Sequence, residues 1–373
     1  MKVIFTCGGT AGHVNPALAL AGLMKKKDPR TEILFVGTPG GMERKLAAKA
    51  GYPYESVEVS SFSRSLKMEG IRHNLRAAKN LVTARRQAEA ILKSFGPDLV
   101  VGTGGYASYP MIKYAAKAGI PTAVHESNMV PGLTTKMLEG SADRIMVGFE
   151  ECRQHYKHPE KICVTGTPVR GDFFDLTKEQ AKEKLGVNDG RPLIVSFWGS
   201  LGASYMNEKM AEFFALEAKT EPFHHIHAMG SAGWPRLVEW CRPYGLMLRD
   251  HPSLDVREYI YDMAVDMRAA DLVICRAGAS TISELTALAV PAIIVPSPYV
   301  TNNHQEKNAR ILERHGGACV MLEPESSGKK LFELASAILS DPKRQADMSR
   351  GMASLGIPDA AERLYETVMS IRK

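Results

Sequence analysis

Short apolar, β-branched runs alternate with longer segments of helical spacing along almost the whole chain. In the first half the strand-like runs are Val3–Thr6, Ile33–Val36, Ser56–Val59, Leu99–Val101, Thr122–Val124 and Ile145–Val147. They continue as Ile162–Thr165, Leu193–Phe197, His225–Ala228, Met247–Arg249, Leu272–Cys275, Ala292–Val295 and Cys319–Met321. Between them, Pro16–Lys25, Met42–Lys49, Met111–Lys117 and Asn308–Arg314 carry helical spacing. Strands this short and this uniformly apolar are buried on both faces. Their alternation with helices predicts an α/β fold with parallel sheets. The cadence restarts near Thr165-Gly166-Thr167-Pro168. Residues 1–165 and 166–356 are therefore expected to form two Rossmann-like, doubly wound domains facing across a cleft, with ligands held at the carboxyl ends of the strands. The last stretch, Asp359–Ile371, is amphipathic through Ala361, Leu364, Val368 and Ile371. Residues 357–373 are expected to pack back on the first domain.

Composition agrees with two globular domains: 373 residues, 45% hydrophobic and 24% charged, at roughly 150 residues per domain. Charge changes the picture more. The formal net charge is +6, but residues 1–165 hold 23 Lys and Arg against 14 Asp and Glu. Much of that excess lies in residues 62–86, where Arg64, Lys67, Arg72, Arg76, Lys79, Arg85 and Arg86 face only Glu69. Leu66 and Met68 precede Ile71, Leu75, Ala78 and Val82 at helical spacing. One reading is a surface helix with solvated cations. The other is a basic, partly apolar patch that sits on an anionic phospholipid membrane surface. Nucleic acid is disfavoured, because no aromatic stacking set accompanies the charges. No segment reads as a membrane span; Leu285–Gln305 is uncharged but interrupted by Pro291, Pro296 and Pro298. The apolar start before Gly8 is too short for a signal-peptide core, so a cytosolic protein is expected. The six cysteines form no CxxC pair and read as buried, reduced thiols.

Three glycine loops follow strands. Gly8-Gly9-Thr10-Ala11-Gly12-His13 follows the first, Gly102-Thr103-Gly104-Gly105-Tyr106 the fourth, and Gly199-Ser200-Leu201-Gly202 opens the second half. Such loops let backbone N–H groups and a helix N-terminus approach a phosphate. None is the dinucleotide fingerprint or a P-loop, which argues against NAD binding and P-loop ATP hydrolysis. Cys275-Arg-Ala-Gly-Ala-Ser-Thr-Ile-Ser-Glu284 reads as strand, turn and helix start. Spacing alone leaves Glu284 as either a capping-box partner of Thr281 or a carboxylate accepting ribose hydroxyls. Asn302-Asn303-His304-Gln305 either caps a helix or binds a sugar. His224, His225 and His227 lie on a strand without a nearby Cys or carboxylate set, so polar strand positions are favoured over a metal site.

Taken together, several segments resemble one family. They are Gly8-Gly-Thr-Ala-Gly-His13, His125-Glu-Ser-Asn128, Gly166-Thr-Pro-Val-Arg170, Cys275–Glu284 and Asn303-His-Gln-Glu-Lys-Asn-Ala309. In this order, over nearly the whole chain, they resemble the bacterial peptidoglycan glycosyltransferases that add N-acetylglucosamine to lipid I, making lipid II. The resemblance implies the two-domain GT-B fold and UDP-N-acetylglucosamine as donor, bound by the second domain. It implies that Glu284 binds the ribose, Ser200 and Arg170 meet the diphosphate, the Ile260 backbone meets the uracil, and Gln305 with His304 holds the sugar. Thr10, Ala11, Gly12 and Asn128 would line the donor site from the first domain. Gly9, Gly104, Gly105 and Tyr106, in the loops 8–13 and 102–106, would receive the pyrophosphate of lipid I. It further implies a peripheral position on the cytoplasmic face of the cell membrane and partners within a cell-wall synthesis complex. Two positions depart from the family's pattern: Trp198 stands where a second glycine is usual, and Leu201 where a polar residue is usual. Ala11 replaces a common glycine.

Sugar transfer with inversion needs a base, leaving-group stabilisation and alignment. No two aspartates stand two residues apart, so the metal-holding Asp-x-Asp motif of many transferases is missing. UDP is therefore expected to depart onto helix N-termini, Ser200 and Arg170 without a metal or other cofactor. His13 is the candidate base: it starts a helix, whose positive end favours the neutral, proton-accepting imidazole. The competing role is a hydrogen bond to phosphate or packing of the turn. Glu126 is a second candidate, with Asn128, for positioning more than for proton transfer. A transferase with a diacylglycerol or soluble acceptor and a UDP-sugar 2-epimerase are the alternatives; an epimerase would not need the basic patch at 62–86.

Overall fold

The computed structural model describes residues 1–59, 83–199, 201–300 and 303–372. The chain divides into two units, Met1–Arg170 with Ile357–Lys373, and Gly171–Gly356. The chain thus leaves the first unit after Arg170, a little beyond the cadence change at residue 165, and returns to it at Ile357.

In the first unit β1 (Lys2–Thr6), β2 (Glu32–Gly37), β3 (Tyr54–Ser56), β4 (Leu99–Gly102), β5 (Thr122–Glu126), β6 (Arg144–Val147) and β7 (Ile162–Val164) form one sheet. Its order is β3-β2-β1-β4-β5-β6-β7, and every pairing is parallel. The run read as Ile162–Thr165 is thus the last strand of the first sheet. Val3, Ile4 and Phe5 of β1 are fully buried, as the continuous apolar run requires of a strand covered on both faces. The order reverses direction between β1 and β4, so the loops leaving these two strands start side by side at one edge of the sheet.

The second unit repeats the plan. Its strands are β8 (Leu193–Phe197), β9 (His224–Ala228), β10 (Leu254–Arg257), β11 (Leu272–Cys275), β12 (Ala292–Ile294) and β13 (Ala318–Val320). They pair in parallel in the order β10-β9-β8-β11-β12-β13, with the reversal between β8 and β11.

Two expected strands are displaced. Pairing of β2 with β3 ends at Gly37 opposite Ser56, so the strand is Tyr54–Ser56 and not Ser56–Val59. Met247–Arg249 leads into a short 3-10 turn, Leu248–Asp250. Leu246 and Leu248 pack on the core there, while the edge strand is Leu254–Arg257. The helices begin earlier than their apolar spacing suggested. Ala11–Lys27, Ser108–Lys117 and His304–Arg314 each include a polar or glycine-bearing first turn.

The helix Ala360–Ser370 buries Leu364 and Val368 in the first unit's core, among Val3, Phe5, Val14 and Leu20. Gly166 has φ +75°, and a Cβ there would lie 2.8 Å from the Cβ of Ile357, so glycine makes room for the returning chain. Among the described residues no helix is long and apolar enough to cross a membrane. The patch residues Arg64, Lys67, Ile71, Arg72, Leu75, Arg76 and Lys79 lie outside the described residues.

Candidate active-site residues

In the first unit the two glycine loops meet where the sheet order reverses. The Gly8 N–H donates to the Gly104 carbonyl at 3.1 Å. A Cβ on Gly105, at φ +84°, would lie 2.3 Å from the Gly8 carbonyl oxygen. Ser108 is fully buried and its Oγ bonds the carbonyls of Thr6 and Gly104, both at 2.9 Å. The loops are thus held backbone against backbone, and no side chain could be inserted between them. Buried Glu43 holds the other side, accepting from Thr38 N at 2.8 Å, Thr38 Oγ1 at 2.7 Å and Gly9 N at 3.4 Å. Its helix follows β2, and its register gave no sequence signal of a contact with Gly9.

Thr10 is the N-cap of the helix Ala11–Lys27, and its side chain makes no capping bond. The first N–H groups of this helix, at Ala11 and Gly12, are the kind that receive anions. Gly9 is exposed at φ +90° with nothing close to where a Cβ would stand, and Tyr106 is half exposed.

His13 is half-buried in the first turn of that helix. Its Nδ1 lies 2.7 Å from the Gly8 carbonyl oxygen. A carbonyl only accepts, so Nδ1 carries the proton and a neutral ring leaves Nε2 as an acceptor. The ring rests over Gly104, where a Cβ would come within 2.5 Å of His13 Cδ2. Thr103 Oγ1 donates to the His13 carbonyl at 2.6 Å. The second glycine loop thereby orients the imidazole that the first one carries.

The segment His125–Asn128 leaves β5. His125 is buried, and its Nε2–H donates to the Gly166 carbonyl at 3.0 Å; burial lowers its basicity. Glu126 is buried and accepts from four donors. Asn128 N and Asn128 Nδ2 reach Oε1 at 3.1 Å each, and Gly132 N at 2.9 Å and Thr135 Oγ1 at 2.8 Å reach Oε2. A carboxylate so occupied is a clamp on the loop that carries Asn128. The arrangement suits a positioning group, the role preferred for Glu126 over proton transfer. Arg170 is exposed at the end of the unit.

In the second unit a cavity of about 490 Å³ opens where the order reverses between β8 and β11. Its lining includes Gly199, Gly202, Arg276, Gly278, Thr281 and Gln305. Ser200 lies outside the described residues. Trp198 needs no glycine conformation. The left-handed positions fall on Gly199 at φ +88° and Gly202 at φ +75°, while the Trp198 ring is buried in the core. Leu201 points the other way in polarity terms: it is exposed, at 73%. A Cβ on Gly202 would lie 1.9 Å from the Met229 carbonyl oxygen, so this loop too is seated backbone on backbone.

Arg276, the residue after β11 in the Cys275–Glu284 segment, is a wall of the cavity. Its guanidinium bonds the Val295 carbonyl at 3.0 Å, pairs with buried Glu323 and lies over the Trp198 ring. The available signal was an arginine directly after a strand at the reversal of order.

The helix expected after Gly278 runs Ala279–Leu288 with Gly278 as its N-cap. Thr281 is therefore inside the helix and the capping-box reading of Glu284 fails. Glu284 sits half-buried on the second turn. Gln305 Oε1 accepts from Ser297 N at 2.9 Å, so its NH2 is the end a ligand would meet. His304 opens the helix after Asn303, whose φ is +52°. Ile260 is buried between exposed Tyr259 and Tyr261 and anchors the loop after β10. Among the described residues no group of three or more His, Cys, Asp or Glu is placed to hold a metal ion. His225 and His227 are instead bonded within the core.

Two parallel-sheet α/β units with glycine loops at both reversals define a GT-B type nucleotide-sugar enzyme fold. Residues 3–147 match the N-terminal domain model of glycosyltransferase family 28, and residues 193–364 match its C-terminal domain model. Two relatives carry the description UDP-N-acetylglucosamine--N-acetylmuramyl-(pentapeptide) pyrophosphoryl-undecaprenol N-acetylglucosamine transferase. The protein from Acetivibrio thermocellus is 42% identical over 100% of this chain and 99% of its own. That from Listeria monocytogenes is 39% identical over 100% of both. The crystal structure of Acinetobacter baumannii MurG matches with TM-score 0.77 and 25% identity over 99% of each chain. A putative UDP-N-acetylglucosamine 2-epimerase from Listeria monocytogenes shares the fold, with TM-score 0.69 and 15% identity over 99% of this chain and 96% of its own. The chain belongs to glycosyltransferase family 28, among its N-acetylglucosamine transferases.

Gly105→Ala should lower unfolding stability by more than about 2 kcal/mol, because the new Cβ meets backbone and the φ is left-handed. Gly40→Ala, in open space, should stay within about 0.5 kcal/mol. Urea unfolding of the two variants decides; equal midpoints would contradict the interlocked loops.

Proposed function

We propose that this protein transfers N-acetylglucosamine from UDP-N-acetylglucosamine to lipid I, giving lipid II for peptidoglycan synthesis. The observation that carries the reading is full-length identity of 42% to a transferase of that description. The second unit's cavity adds the chemistry. A glycine loop, a helix N-terminal turn at Thr281 and an amide at Gln305 suit a diphosphate and a sugar. In this reading Gly199–Gly202, with Ser200 and Arg170, takes the diphosphate. Glu284 takes the ribose, the Ile260 backbone the uracil, and Gln305 with His304 the sugar. Thr10, Ala11, Gly12 and Asn128 complete the donor contacts. Gly9, Gly104, Gly105 and Tyr106 take the acceptor pyrophosphate.

The transfer is inverting. The acceptor's C4 hydroxyl oxygen bonds to the anomeric carbon as the bond from that carbon to the phosphate oxygen breaks. The hydroxyl proton passes to His13 Nε2, and the electron pair leaves with UDP, whose charge is met by N–H groups and Arg170 without a metal. The Nδ1–Gly8 bond supports this role, since it places a neutral ring's one proton on Nδ1 and makes Nε2 the acceptor. The protein works at the cytoplasmic face of the membrane as a peripheral protein, held there by residues 62–86. Arg85 and Arg86 begin the described helical residues 83–95 that continue this window.

A panel of UDP-sugars offered with a short-chain lipid I analogue should give transfer only from UDP-N-acetylglucosamine, unchanged by EDTA. Loss of turnover on chelation would overturn metal-free departure. His13→Ala should lower kcat by about 100-fold or more while UDP affinity changes by less than about threefold. Unchanged turnover would remove His13 as the base. Co-sedimentation with phosphatidylglycerol vesicles should be strong at low salt. Binding that persists at about 1 M salt would mean apolar insertion, and no binding at low salt would reject the patch.

A further inference from the structure

A line of polar side chains runs through the second unit's core, from the helix Ser204–Glu217 across β8 and β9 and back. Glu217, His225, Ser196, His227 and Asn207 are all at most 1% exposed. The contacts are Glu217 Oε2 to His225 Nδ1 at 2.8 Å, His225 Nε2 to Ser196 Oγ at 2.7 Å, and Ser196 Oγ to His227 Nδ1 at 2.6 Å. They continue as His227 Nε2 to Asn207 Oδ1 at 3.4 Å and Asn207 Nδ2 to the Met229 carbonyl at 2.7 Å. Phe213 and Phe214 stack edgewise on His225, and Phe214 and Trp198 on His227, which keeps water away.

With both imidazoles neutral, the last acceptor sets the direction of every bond before it. The Met229 carbonyl can only accept, so Asn207 presents its NH2 there and its oxygen to His227. His227 must then carry its proton on Nε2 and accept at Nδ1 from the Ser196 hydroxyl. Ser196 has one proton, so its oxygen accepts from His225 Nε2–H. His225 is then an acceptor at Nδ1, and the proton in the first contact belongs to Glu217. Burial acts the same way. It raises Glu217 well above the usual carboxyl range, with the Glu221 charge adding to the effect, and it drives His225 down to about 3 and His227 well below its usual value. Glu217 Oε1 is buried without a partner, which suits the carbonyl oxygen of a neutral acid better than half of a carboxylate.

The chain ends at the loop that the reading above gives to the donor diphosphate. The Met229 carbonyl is the atom against which Gly202 is seated, and a Cβ on Gly233 would lie 2.1 Å from Asn207 Nδ2. We propose that Glu217, His225, Ser196, His227 and Asn207 form an uncharged hydrogen-bond chain of fixed direction that sets the Gly199–Gly202 loop, making them positioning residues for the donor diphosphate. The positioning claim rests on the donor-site reading; the direction of the chain does not.

The full-length protein labelled with 15N-histidine gives the direct test. His225 and His227 should both appear as neutral Nε2–H tautomers between pH 6 and 8. A doubly protonated His225 would mean an ion pair with Glu217 and overturn the chain. Glu217→Gln supplies an N–H donor in place of the acid proton, so KM for UDP-N-acetylglucosamine should stay within about twofold. Loss as large as in Glu217→Ala would overturn the neutral acid. Asn207→Ala should raise that KM by about tenfold while kcat falls by less than about threefold. A lowered unfolding midpoint with KM unchanged would show a purely structural role. If the wild-type protein binds no UDP, the donor-site reading falls with the positioning claim, while the tautomer spectrum still decides the chain.

Discussion

The structure depends on backbone meeting backbone at the glycine loops that leave β1 and β8, the strands from which each parallel sheet reverses its order. Gly105 lies on the Gly8 carbonyl in one unit and Gly202 on the Met229 carbonyl in the other. At such a reversal the connections from two adjacent strands run on to opposite faces of the sheet, which opens a ligand site at the carboxyl edge. The opening is useful for a phosphate only if N–H groups, not side chains, line it. Glycines at left-handed φ satisfy both demands, since they bring the loops into contact and expose their N–H groups. The His13 ring inherits its position from this contact, because it rests on Gly104 and is tethered to Gly8.

Much of this could be read from the residues. The continuous apolar runs of β1, β4, β8 and β11 are the signature of strands covered on both faces, and the glycines after them marked the loops. The amphipathic end of the chain announced a helix, although only the structure shows Leu364 and Val368 entering the core beside β1. The strand β10 was misplaced because Leu246 and Leu248 are apolar for packing, not for pairing. Helix starts were read late because a first turn that serves a ligand or a glycine loop lacks apolar spacing.

The site's supporting carboxylates were less legible. Glu43, Glu126 and Glu217 stand among ordinary helical or strand sequence, and nothing in their spacing tells which backbone N–H or side chain each will meet. The sequence offered Glu126 for positioning more than for proton transfer, without showing what it would hold. Its four donors make it the clamp that presents Asn128. The same holds for His225 and His227. Alternation put them on one face of β9, but only the partner strand and the overlying helix supply Ser196, Glu217 and Asn207.

These carboxyl groups also show how one residue type is used in two ways. Glu43 and Glu126 meet only donors: backbone N–H groups, hydroxyls and an amide. Such a group acts as an acceptor that gathers loop backbone around itself. Glu217 meets a single partner in a dry aromatic pocket, and burial favours a neutral His225, which accepts at Nδ1 once Nε2 donates to Ser196. A charge there would lack compensating donors, so the group serves as a donor. The number and direction of available partners, more than the residue type, therefore decide the role. In the first unit two buried carboxylates gather glycine-bearing loop backbone directly, whereas Glu217 touches no loop and ends a run of side chains that reaches the Met229 carbonyl.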